Sequence, residues 1–509
     1  MLSRRHFLAA GGMLALARSL AGAQTPVAVP ARRQRGNLRI AVSSLPPSWD
    51  PLAVTTLEHI WLMTLLYDSV GRWNRDGAIL PSLGLSWASS VFDRVLDVTL
   101  RPDAFFHEGQ VLAPDDVRWT IERVRTSGTA LPDGWRMEHV WRTEALDAHT
   151  VRIILDAPDA SLAASLAAPA LSILPEGVDL RRVHGGTGPF LVHIGVGGDA
   201  LFRRNPWYWQ IGRPHFEFLH VHEIGDDTER STALVTGMVD LVPNAPLLDV
   251  PMLQAEPSIQ LVGGPSNHLC LLQVNLDRPA LRDDRLRRVL SAAIDRGGLV
   301  KVATASQAEP TSLLFAPDAW ASGGADEVKH RSPDDVRAAL ATLGIHADLP
   351  LRLLADNADA TLANTAVVLQ EQLAWCGIAL SVELLEGAEL DDAIRTRDYD
   401  LLASYTRPWR DPHELVRPLL ASDGFANRSG YAAPEVDGMI RGATMVADRK
   451  LRREKYAQLQ QRVLDDVPVI VLFRLHYFDA MSRRIVDYAP LQPVTARGLL
   501  PAWEEGAGT

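Results

Sequence analysis

The chain has 509 residues, 47% of them hydrophobic and 22% charged, so a globular protein of roughly two to four domains is expected, without disorder beyond the termini. The 51 Lys and Arg residues are outnumbered by 62 Asp and Glu, giving a formal net charge of −11, which argues against nucleic acid as a partner. Cys270 and Cys376 form no CxxC motif, so neither a zinc site nor a disulfide framework is indicated, although one bridge between them stays open.

The N-terminal residues 1–23 have the pattern of a twin-arginine signal peptide. The sequence Ser3-Arg4-Arg5-His6-Phe7-Leu8 begins an apolar stretch, and Ala21-Gly22-Ala23 provides the small residues that signal peptidase needs for cleavage before Gln24. The stretch is too short to span about 30 Å of hydrocarbon, and no cysteine follows it as a lipid attachment point. We expect a periplasmic protein without stable membrane insertion, since such signals are addresses rather than anchors.

After a flexible leader over residues 24–36, the chain alternates short strands with helices. Residues 37–42 predict the first strand. Pro114-Asp115-Asp116 predicts a helix start, because proline suits the first turn and carboxylates favour the positive helix end. The apolar stripes that define the predicted helices are, in chain order, Val117, Ile121 and Val124; Val336, Leu340 and Leu343; Leu362, Ala366, Leu369, Leu373 and Cys376; and Tyr456, Leu459 and Val463.

The third of these helices lies between two strand patterns, at residues 351–354 and 378–385, and a further buried strand is predicted at residues 469–473. Strand, helix and strand in succession predict a parallel βαβ unit. The sequence therefore favours an α/β fold over a helical bundle or a pure β-sandwich.

Four stretches, in order along the chain, are similar to the signatures of one protein family. They comprise residues 80–87, 98–109 and 113–117; residues 186–190, 204–209 and 212–214; residues 274–277 and 283–296; and residues 398–401 and 411–413. Together they resemble the extracellular solute-binding proteins of family 5, the peptide and nickel binders of ABC importers.

The resemblance implies a class II, cluster C periplasmic binding protein, in which two α/β lobes enclose the ligand in the cleft between them. The first lobe would hold residues 37–265 and 481–509, with an inserted subdomain at about 60–180, and the second lobe residues 266–480. We expect a monomer that has no cofactor and is not an enzyme. Its partners would be a small-molecule or peptide ligand and the permease subunits of an ABC importer.

The resemblance places a ligand-contacting loop at residues 405–413, where peptide-binding members carry an aspartate that pairs with the ligand's amino terminus. Here that position is Pro408, flanked by Arg407 and Arg410. Guanidinium groups in a closed cleft favour carboxylates, so we predict a small peptide or a peptide-like carboxylate as the ligand. The predicted ligand-binding residues are Tyr405, Arg407, Trp409, Arg410, Asp411, His413 and, outside the loop, Trp135.

A nickel chelate is the alternative ligand, because the loop ends in Asp-Pro-His as it does in the nickel-binding subgroup. His413 matches the histidine that supplies a direct metal ligand there, and a neutral imidazole suits Ni²⁺. The two chelator-binding arginines of that subgroup are missing near Ala168-Pro169 and Leu131-Pro132. A peptide-like ligand is therefore ranked ahead of a chelate, and backbone capping is an equal alternative role for His413.

Several other motifs have structural explanations. Residues 186–189 lack the Lys and Ser/Thr of a phosphate loop and predict a turn. The Trp-Tyr-Trp run at residues 207–209 predicts core packing rather than a stacking platform. His220 and His222 predict exposed positions on one face of a strand, and Arg417 occupies the second histidine position of an HExxH motif, which it abolishes.

An exported hydrolase and a ligand-dependent receptor or chaperone are the competing function classes. GxSxG, HExxH, CxxC and P-loop signatures are absent from the sequence. Paired acids such as Asp115-Asp116 lie at helix starts, where the helix dipole explains them. A hydrolase is therefore only a remote alternative.

Replacing Arg4 and Arg5 together with Lys should abolish export, because the arginine pair is the recognition element of the predicted signal. Full-length precursor is expected in the cytoplasmic fraction of cells that produce the variant, while the unchanged protein should be found shortened in the periplasm. Replacing Arg32 and Arg33 of the predicted leader with Lys is the control and should leave export unchanged. Normal export of the first variant would contradict the assignment.

Overall fold

The computed structural model describes residues 36–54, 56–90, 94–128, 131–180, 185–195, 199–345, 349–489 and 495–504. The predicted signal peptide lies outside the described residues, as does the predicted leader up to Arg35. Within the described residues, no helix combines the length and the apolar character that crossing a bilayer requires.

Strands occur along the whole described chain. They are β1 (Asn37–Val42), β2 (Gly71–Trp73), β3 (Ile79–Pro81), β4 (Gly84–Ser90), β5 (Val95–Leu100), β6 (Val140–Ala145), β7 (Thr150–Leu155), β8 (Phe190–Ile194), β9 (Asp199–Arg204), β10 (Phe218–Glu223), β11 (Leu241–Val242), β12 (Ile259–Val274), β13 (Ala308–Pro310), β14 (Leu349–Asp356), β15 (Ile378–Leu385), β16 (Leu401–Tyr405), β17 (Val469–Ser482), β18 (Ile485–Val486) and β19 (Trp503–Glu504).

Helices are interspersed with these strands, as expected of an α/β protein. They are α1 (Leu57–Leu66), α2 (Pro114–Ser127), α3 (Leu162–Leu166), α4 (Asp227–Val235), α5 (Val250–Ala255), α6 (Asp284–Ala293), α7 (Arg296–Ala303), α8 (Pro333–Thr342), α9 (Ala360–Trp375), α10 (Gly387–Thr396), α11 (His413–Leu420), α12 (Pro434–Thr444) and α13 (Arg449–Asp466).

One sheet of eleven strands runs through the described part of the molecule. Its order is β15-β14-β16-β12-β17-β11-β1-β10-β9-β8, and β13 pairs with β17. Strands β15, β14 and β16 are parallel on one side of β12 and β17, and β11, β1 and β10 are parallel on the other side. Because β12 and β17 lie between them as an antiparallel pair, the two parallel groups run in opposite directions. A separate sheet has the order β4-β5-β7-β6.

The buried apolar residues separate into two sets of core clusters. Three clusters lie entirely between Leu269 and Leu475. The other three lie between Leu38 and Ile259 or between Tyr477 and Ala502, so the C-terminal segment packs with the N-terminal half. We propose that the two halves correspond to the predicted lobes. Along β17, Leu475 still packs in the core of the second half, whereas Tyr477 already packs in the core of the first. The boundary therefore lies a few residues before the predicted position at 480.

The two halves are joined by β12 and β17, whose pairing is interrupted between Pro265 and Leu269. Gly263 just precedes this break with a φ of 156°. A Cβ atom at Gly263 would lie 1.9 Å from the carbonyl oxygen of Tyr477, so only glycine permits the strands to approach so closely here. The crossing between the halves therefore coincides with a local irregularity in the sheet.

The predicted elements are found at their expected positions. Helix α2 begins at Pro114 and buries its predicted apolar stripe. The Ser332 hydroxyl caps α8 by accepting the backbone N–H of Asp335. Strands β14 and β15 pair in parallel across α9, which confirms the predicted βαβ unit.

The Trp-Tyr-Trp run at residues 207–209 is only partly buried. The prediction that Trp207 packs in the core is wrong, since its side chain is 61% exposed. Trp207 lies in a turn, where its backbone N–H donates to the side chain of Asn205. Tyr208 is buried as predicted. Cys270 and Cys376 are both buried free thiols, so no bridge links them.

An ion pair with a fully buried carboxylate fixes the C-terminal segment to the N-terminal half. Arg497 contacts the carboxylate of Asp68 and donates to the hydroxyl of Tyr208 (2.8 Å). Asp68 Oδ2 also accepts from Trp209 Nε1 (3.0 Å) and from the hydroxyl of Thr187 (3.3 Å). Removing one partner from such a pair leaves an uncompensated buried charge, which is costly.

The variant Arg497→Met should lose about 3–5 kcal/mol of stability, because Asp68 stays buried without its guanidinium partner. A lower urea midpoint, followed by tryptophan fluorescence, is the expected result. The matched control is Arg285→Met, whose guanidinium pairs with Asp283 at the surface and should contribute under about 1 kcal/mol. Equal midpoints for both variants would contradict the anchoring role of Asp68.

Candidate ligand-binding cleft

A cavity of about 650 Å³ lies between the two halves. One wall is formed by residues between Ser43 and Leu248, and the other by residues between His268 and His476. The volume is within the range of roughly 300–1,000 Å³ that is usual for small-molecule sites.

The carboxyl ends of parallel strands supply much of both walls. Ser43 follows β1, Gly225 follows β10 and residues 244–248 follow β11 on one side. On the other side, residues 358–361 follow β14 and Tyr405 ends β16. This agrees with the rule that ligands of open α/β sheets bind outside the carboxyl ends of the strands.

Three of the predicted ligand-binding residues lie in the cavity wall: Tyr405, Arg407 and Trp135. The Tyr405 ring packs against His268, with 4.9 Å between ring centroids. The Arg407 side chain is 32% exposed and donates to the carbonyl oxygen of Val54 (3.2 Å). These side chains are therefore placed where a ligand in the cavity would meet them.

Four other predicted residues of the loop lie behind the wall rather than in it. Trp409 is buried against Phe315, with 5.6 Å between ring centroids. Both carboxylate oxygens of Asp411 accept hydrogen bonds from the buried Arg452 guanidinium (2.8 and 2.9 Å). Arg410, the third of these residues, does not line the cavity either.

His413, the fourth, is 3% exposed and begins α11. Its ring lies edge-on to Trp135 at a centroid distance of 5.2 Å. Burial lowers the pKa of His413 well below its ordinary value, and the nearby Arg452 and Arg417 charges add to this effect. The imidazole is therefore neutral, and its Nδ1 atom has no hydrogen-bond partner among the described residues.

A chain of ion pairs links the two halves beside the cavity. Arg407 Nη1 donates to Asp133 Oδ2 (2.5 Å), and Arg136 Nε donates to Asp133 Oδ1 (2.6 Å). Arg136 Nη1 donates in turn to Glu414 Oε1 (2.8 Å). Two carboxylates and two guanidinium groups thus neutralise one another largely away from water.

These arginines control the ionisation of Asp133. Burial alone would raise the pKa of this carboxyl, but the charges of Arg407 and Arg136 outweigh it and lower the pKa to about 2. Asp133 therefore stays ionised although it is buried, and its charge is already engaged before any ligand arrives.

A different set of charges lines the rest of the cavity. Arg230 contacts Asp227 and donates to the backbone carbonyls of Ile224 (2.7 Å) and Gly225 (2.9 Å). The acidic lining residues are Glu58, Asp133, Asp227, Asp359 and Glu414, and the basic ones are Arg136, Arg230 and Arg407.

Asp359 is a lining residue that the sequence analysis did not identify. Its Oδ1 atom accepts the backbone N–H of Leu362 (2.8 Å) and the hydroxyl of Tyr405 (3.0 Å). A signal was available, because Asp359 stands after a predicted strand and directly before a predicted helix, at the carboxyl end where α/β proteins bind ligands.

The two histidines of the cavity wall are neutral. Burial lowers the pKa of His268 to about 4. Burial also lowers the pKa of His476, against the opposing effect of Glu309. Across the described residues, no group of three or more His, Cys, Asp or Glu side chains is placed to hold a metal ion.

Residues 78–427 match the family of bacterial extracellular solute-binding proteins, family 5, in its middle region. The chain belongs to this family. The resemblance predicted from the four sequence stretches is thereby confirmed.

One similar relative is a probable D,D-dipeptide-binding periplasmic protein, DdpA, of Escherichia coli K12. It is 25% identical over 474 residues, which cover 89% of this chain and 91% of the relative. Another is di/tripeptide-binding protein 2 of Pseudomonas aeruginosa, which is 24% identical over 504 residues, covering 91% and 94% of the two chains.

Solved structures confirm the predicted fold. The ABC transporter-associated periplasmic binding protein DppA of Helicobacter pylori, in complex with the peptide STSA, has a TM-score of 0.81 at 21% identity and covers 93% of this chain and 99% of its own. NikZ of Campylobacter jejuni, in complex with Ni(L-His), has a TM-score of 0.80 at 19% identity, with 92% and 97% covered. The chain is therefore a two-lobed α/β binding protein.

Asp133→Asn should lower the stability of the protein at pH 7 by about 2 kcal/mol, because the folded-state pKa of about 2 is below the ordinary value of about 3.9. A depressed carboxyl pKa stabilises the folded state above about pH 4, and this contribution is lost as the pH falls towards 2. The urea midpoints of wild type and variant should therefore converge between pH 4 and pH 2.

Asp115→Asn is the matched control for this measurement, because Asp115 is 55% exposed and pairs with Arg118 at the surface. It should shift the midpoint little at any pH. A midpoint difference for Asp133→Asn that is constant from pH 7 to pH 2 would contradict the proposed charge coupling.

Proposed function

We propose that this protein captures a short peptide with a free carboxylate in the periplasm and delivers it, chemically unchanged, to the permease subunits of an ABC importer. The observation that carries the proposal is the cavity of about 650 Å³ between the lobes, which is lined by both apolar and charged side chains. Such an arrangement encloses a small solute and excludes water from its polar contacts.

The relatives support a peptide as the solute. DdpA is named for D,D-dipeptides and the Pseudomonas protein for di- and tripeptides, and the similar DppA structure contains a bound peptide. The long coverage of both relatives means that the comparison extends over nearly the whole chain.

The apolar part of the wall favours peptides with hydrophobic side chains. Aliphatic and aromatic side chains from both lobes line the cavity, among them Leu57, Ile60, Trp73, Trp135, Leu247, Leu248, Leu415, Leu419 and Phe425. Burying an aliphatic side chain against such a wall contributes roughly 1.5–3 kcal/mol, so leucine-rich peptides are suitable probes.

Arg407 is the proposed partner of the ligand's carboxylate. Two of its five N–H groups donate to Asp133 and Val54, and the side chain is partly exposed in the cavity wall. Tyr405 and Trp135 would form the adjacent wall. Of the predicted residues, these three are the ones that we propose as direct contacts.

A nickel chelate is the second candidate, and one observation favours it. The neutral, buried His413 packs beside Trp135, and its Nδ1 atom has no hydrogen-bond partner in the described parts of the chain. Neutral imidazole is a good ligand for Ni²⁺. Retention of Ni²⁺ with L-histidine through gel filtration, and its loss in His413→Ala, would favour this candidate over a peptide.

Arg407→Ala should weaken binding of peptides with a free C-terminal carboxylate roughly tenfold or more, since a charge-assisted hydrogen bond is lost. The same variant should bind C-terminally amidated peptides about as well as wild type does. Affinities of leucine-rich di- and tripeptides can be measured by tryptophan fluorescence or calorimetry. Comparing free and amidated forms separates carboxylate recognition from any general effect on the fold.

Arg395→Ala is the matched control, because Arg395 is exposed on α10. It should leave both affinities unchanged. An equal loss of affinity for free and amidated peptides in Arg407→Ala would contradict the proposed role of Arg407. Chemical alteration of the recovered peptide would instead indicate an enzyme.

A further inference from the structure

The charged groups of the cavity wall do not balance. Five carboxyl groups and three guanidinium groups line it among the described residues, and both histidines of the wall have lowered pKa values. The ionised wall therefore has an excess of two negative charges. In a cleft between two lobes, where charges are less screened than in bulk water, such an excess favours a ligand that brings positive charge.

All three guanidinium groups are engaged by carboxylates within the wall. Arg136 and Arg407 are matched by Asp133 and Glu414. Arg230 contacts Asp227 and is further held by two backbone carbonyls. Two acids are left, Glu58 and Asp359.

Glu58 is satisfied within the protein. Its Oε2 atom accepts the backbone N–H of Ser43 (2.9 Å) and also contacts the hydroxyl of Ser43. Burial raises the pKa of Glu58, which offsets the opposing hydrogen bonds from Ser43 and the charge of Arg230. Ser43 and the charge of Arg230 thus compensate this acid within the protein.

Asp359 has no such compensation. No basic side chain lies within 4 Å of its carboxylate in the described parts of the chain. Its hydrogen bonds come from the neutral donors of Leu362 and Tyr405. Burial raises the pKa of Asp359, and the negative charges of Asp356 and Asp227 add to this effect, so a cation at this point would relieve an unfavourable field.

Resting on the proposed peptide function, we propose that Asp359, oriented by the Tyr405 hydroxyl, binds the ammonium group of the ligand and selects peptides with a free amino group. An ammonium group supplies three N–H donors, and the carboxylate offers acceptor positions beyond the two that Leu362 and Tyr405 occupy. Arg407, at the Asp133 side of the wall, remains for the carboxylate. The site thus distinguishes the two ends of a peptide.

Capping of α9 does not by itself account for this residue. The cap uses one hydrogen bond, from the Leu362 N–H to Oδ1, and asparagine caps helices about as well as aspartate does. A cap needs neither the negative charge, nor the Tyr405 hydrogen bond, nor a position in the cavity wall. Asp359→Asn therefore retains the cap and removes the charge.

The test compares unmodified and N-acetylated forms of leucine-rich di- and tripeptides on mature wild-type protein and on Asp359→Asn. Wild type should prefer the unmodified form roughly tenfold or more, the fold-change expected for a charge-assisted hydrogen bond. Asp359→Asn should lose most of this preference while its urea midpoint stays close to that of wild type. Asp356→Asn is the matched control, because Asp356 neighbours Asp359 but lies outside the lining, and it should keep the preference.

Three outcomes would overturn the proposal, and they are distinguishable. If wild type binds acetylated and unmodified peptides equally, or if Asp359→Asn keeps the full preference, the ammonium site is wrong while peptide binding stands. If wild type binds neither form, the proposed function itself fails and the ammonium site fails with it.

Discussion

The antiparallel pair of β12 and β17 is the constraint on which the remaining structure depends. Both strands run through both halves of the molecule, so each half builds its parallel strands onto an opposite end of the same ribbon. Because the two parallel groups run in opposite directions, their carboxyl ends meet at one cleft. A single strand pair thereby places two independent ligand-binding edges face to face.

The charge pairs of the cleft follow from this arrangement. Asp133 and Arg136 belong to one half, and Arg407 and Glu414 belong to the other. Desolvating four charges is costly unless each has a partner, and here each carboxylate and each guanidinium has at least one. These internal pairs take up much of the arginine charge that a ligand could have used. Asp359 is left with neutral hydrogen-bond donors alone among the described residues.

The sequence predicted the local elements well, because their signals are local. The apolar stripe of α2 and the Ser332 cap of α8 each depend on residues within one or two turns. The βαβ unit around α9 could be predicted for the same reason, and the family resemblance supplied the two-lobed architecture that periodicity cannot show.

The cleft was harder to predict, because its contacts join distant residues. Arg407 and Asp133 are 274 positions apart, and nothing in either segment identifies the other. The loop at residues 405–413 was treated as one contacting surface, but α11 begins at His413 and turns the end of the loop into the core. Only its first part, with Tyr405 and Arg407, stays in the cavity wall.

The central claim is that the cleft encloses one unmodified short peptide. Native mass spectrometry of the mature protein, after exposure to a mixture of di- and tripeptides, tests it most directly when the bound molecule is then released and sequenced. The account predicts one peptide per chain, intact at both ends and enriched in hydrophobic side chains. A protein that emerges without a peptide, or with a metal chelate or a cleaved peptide in its place, would contradict it.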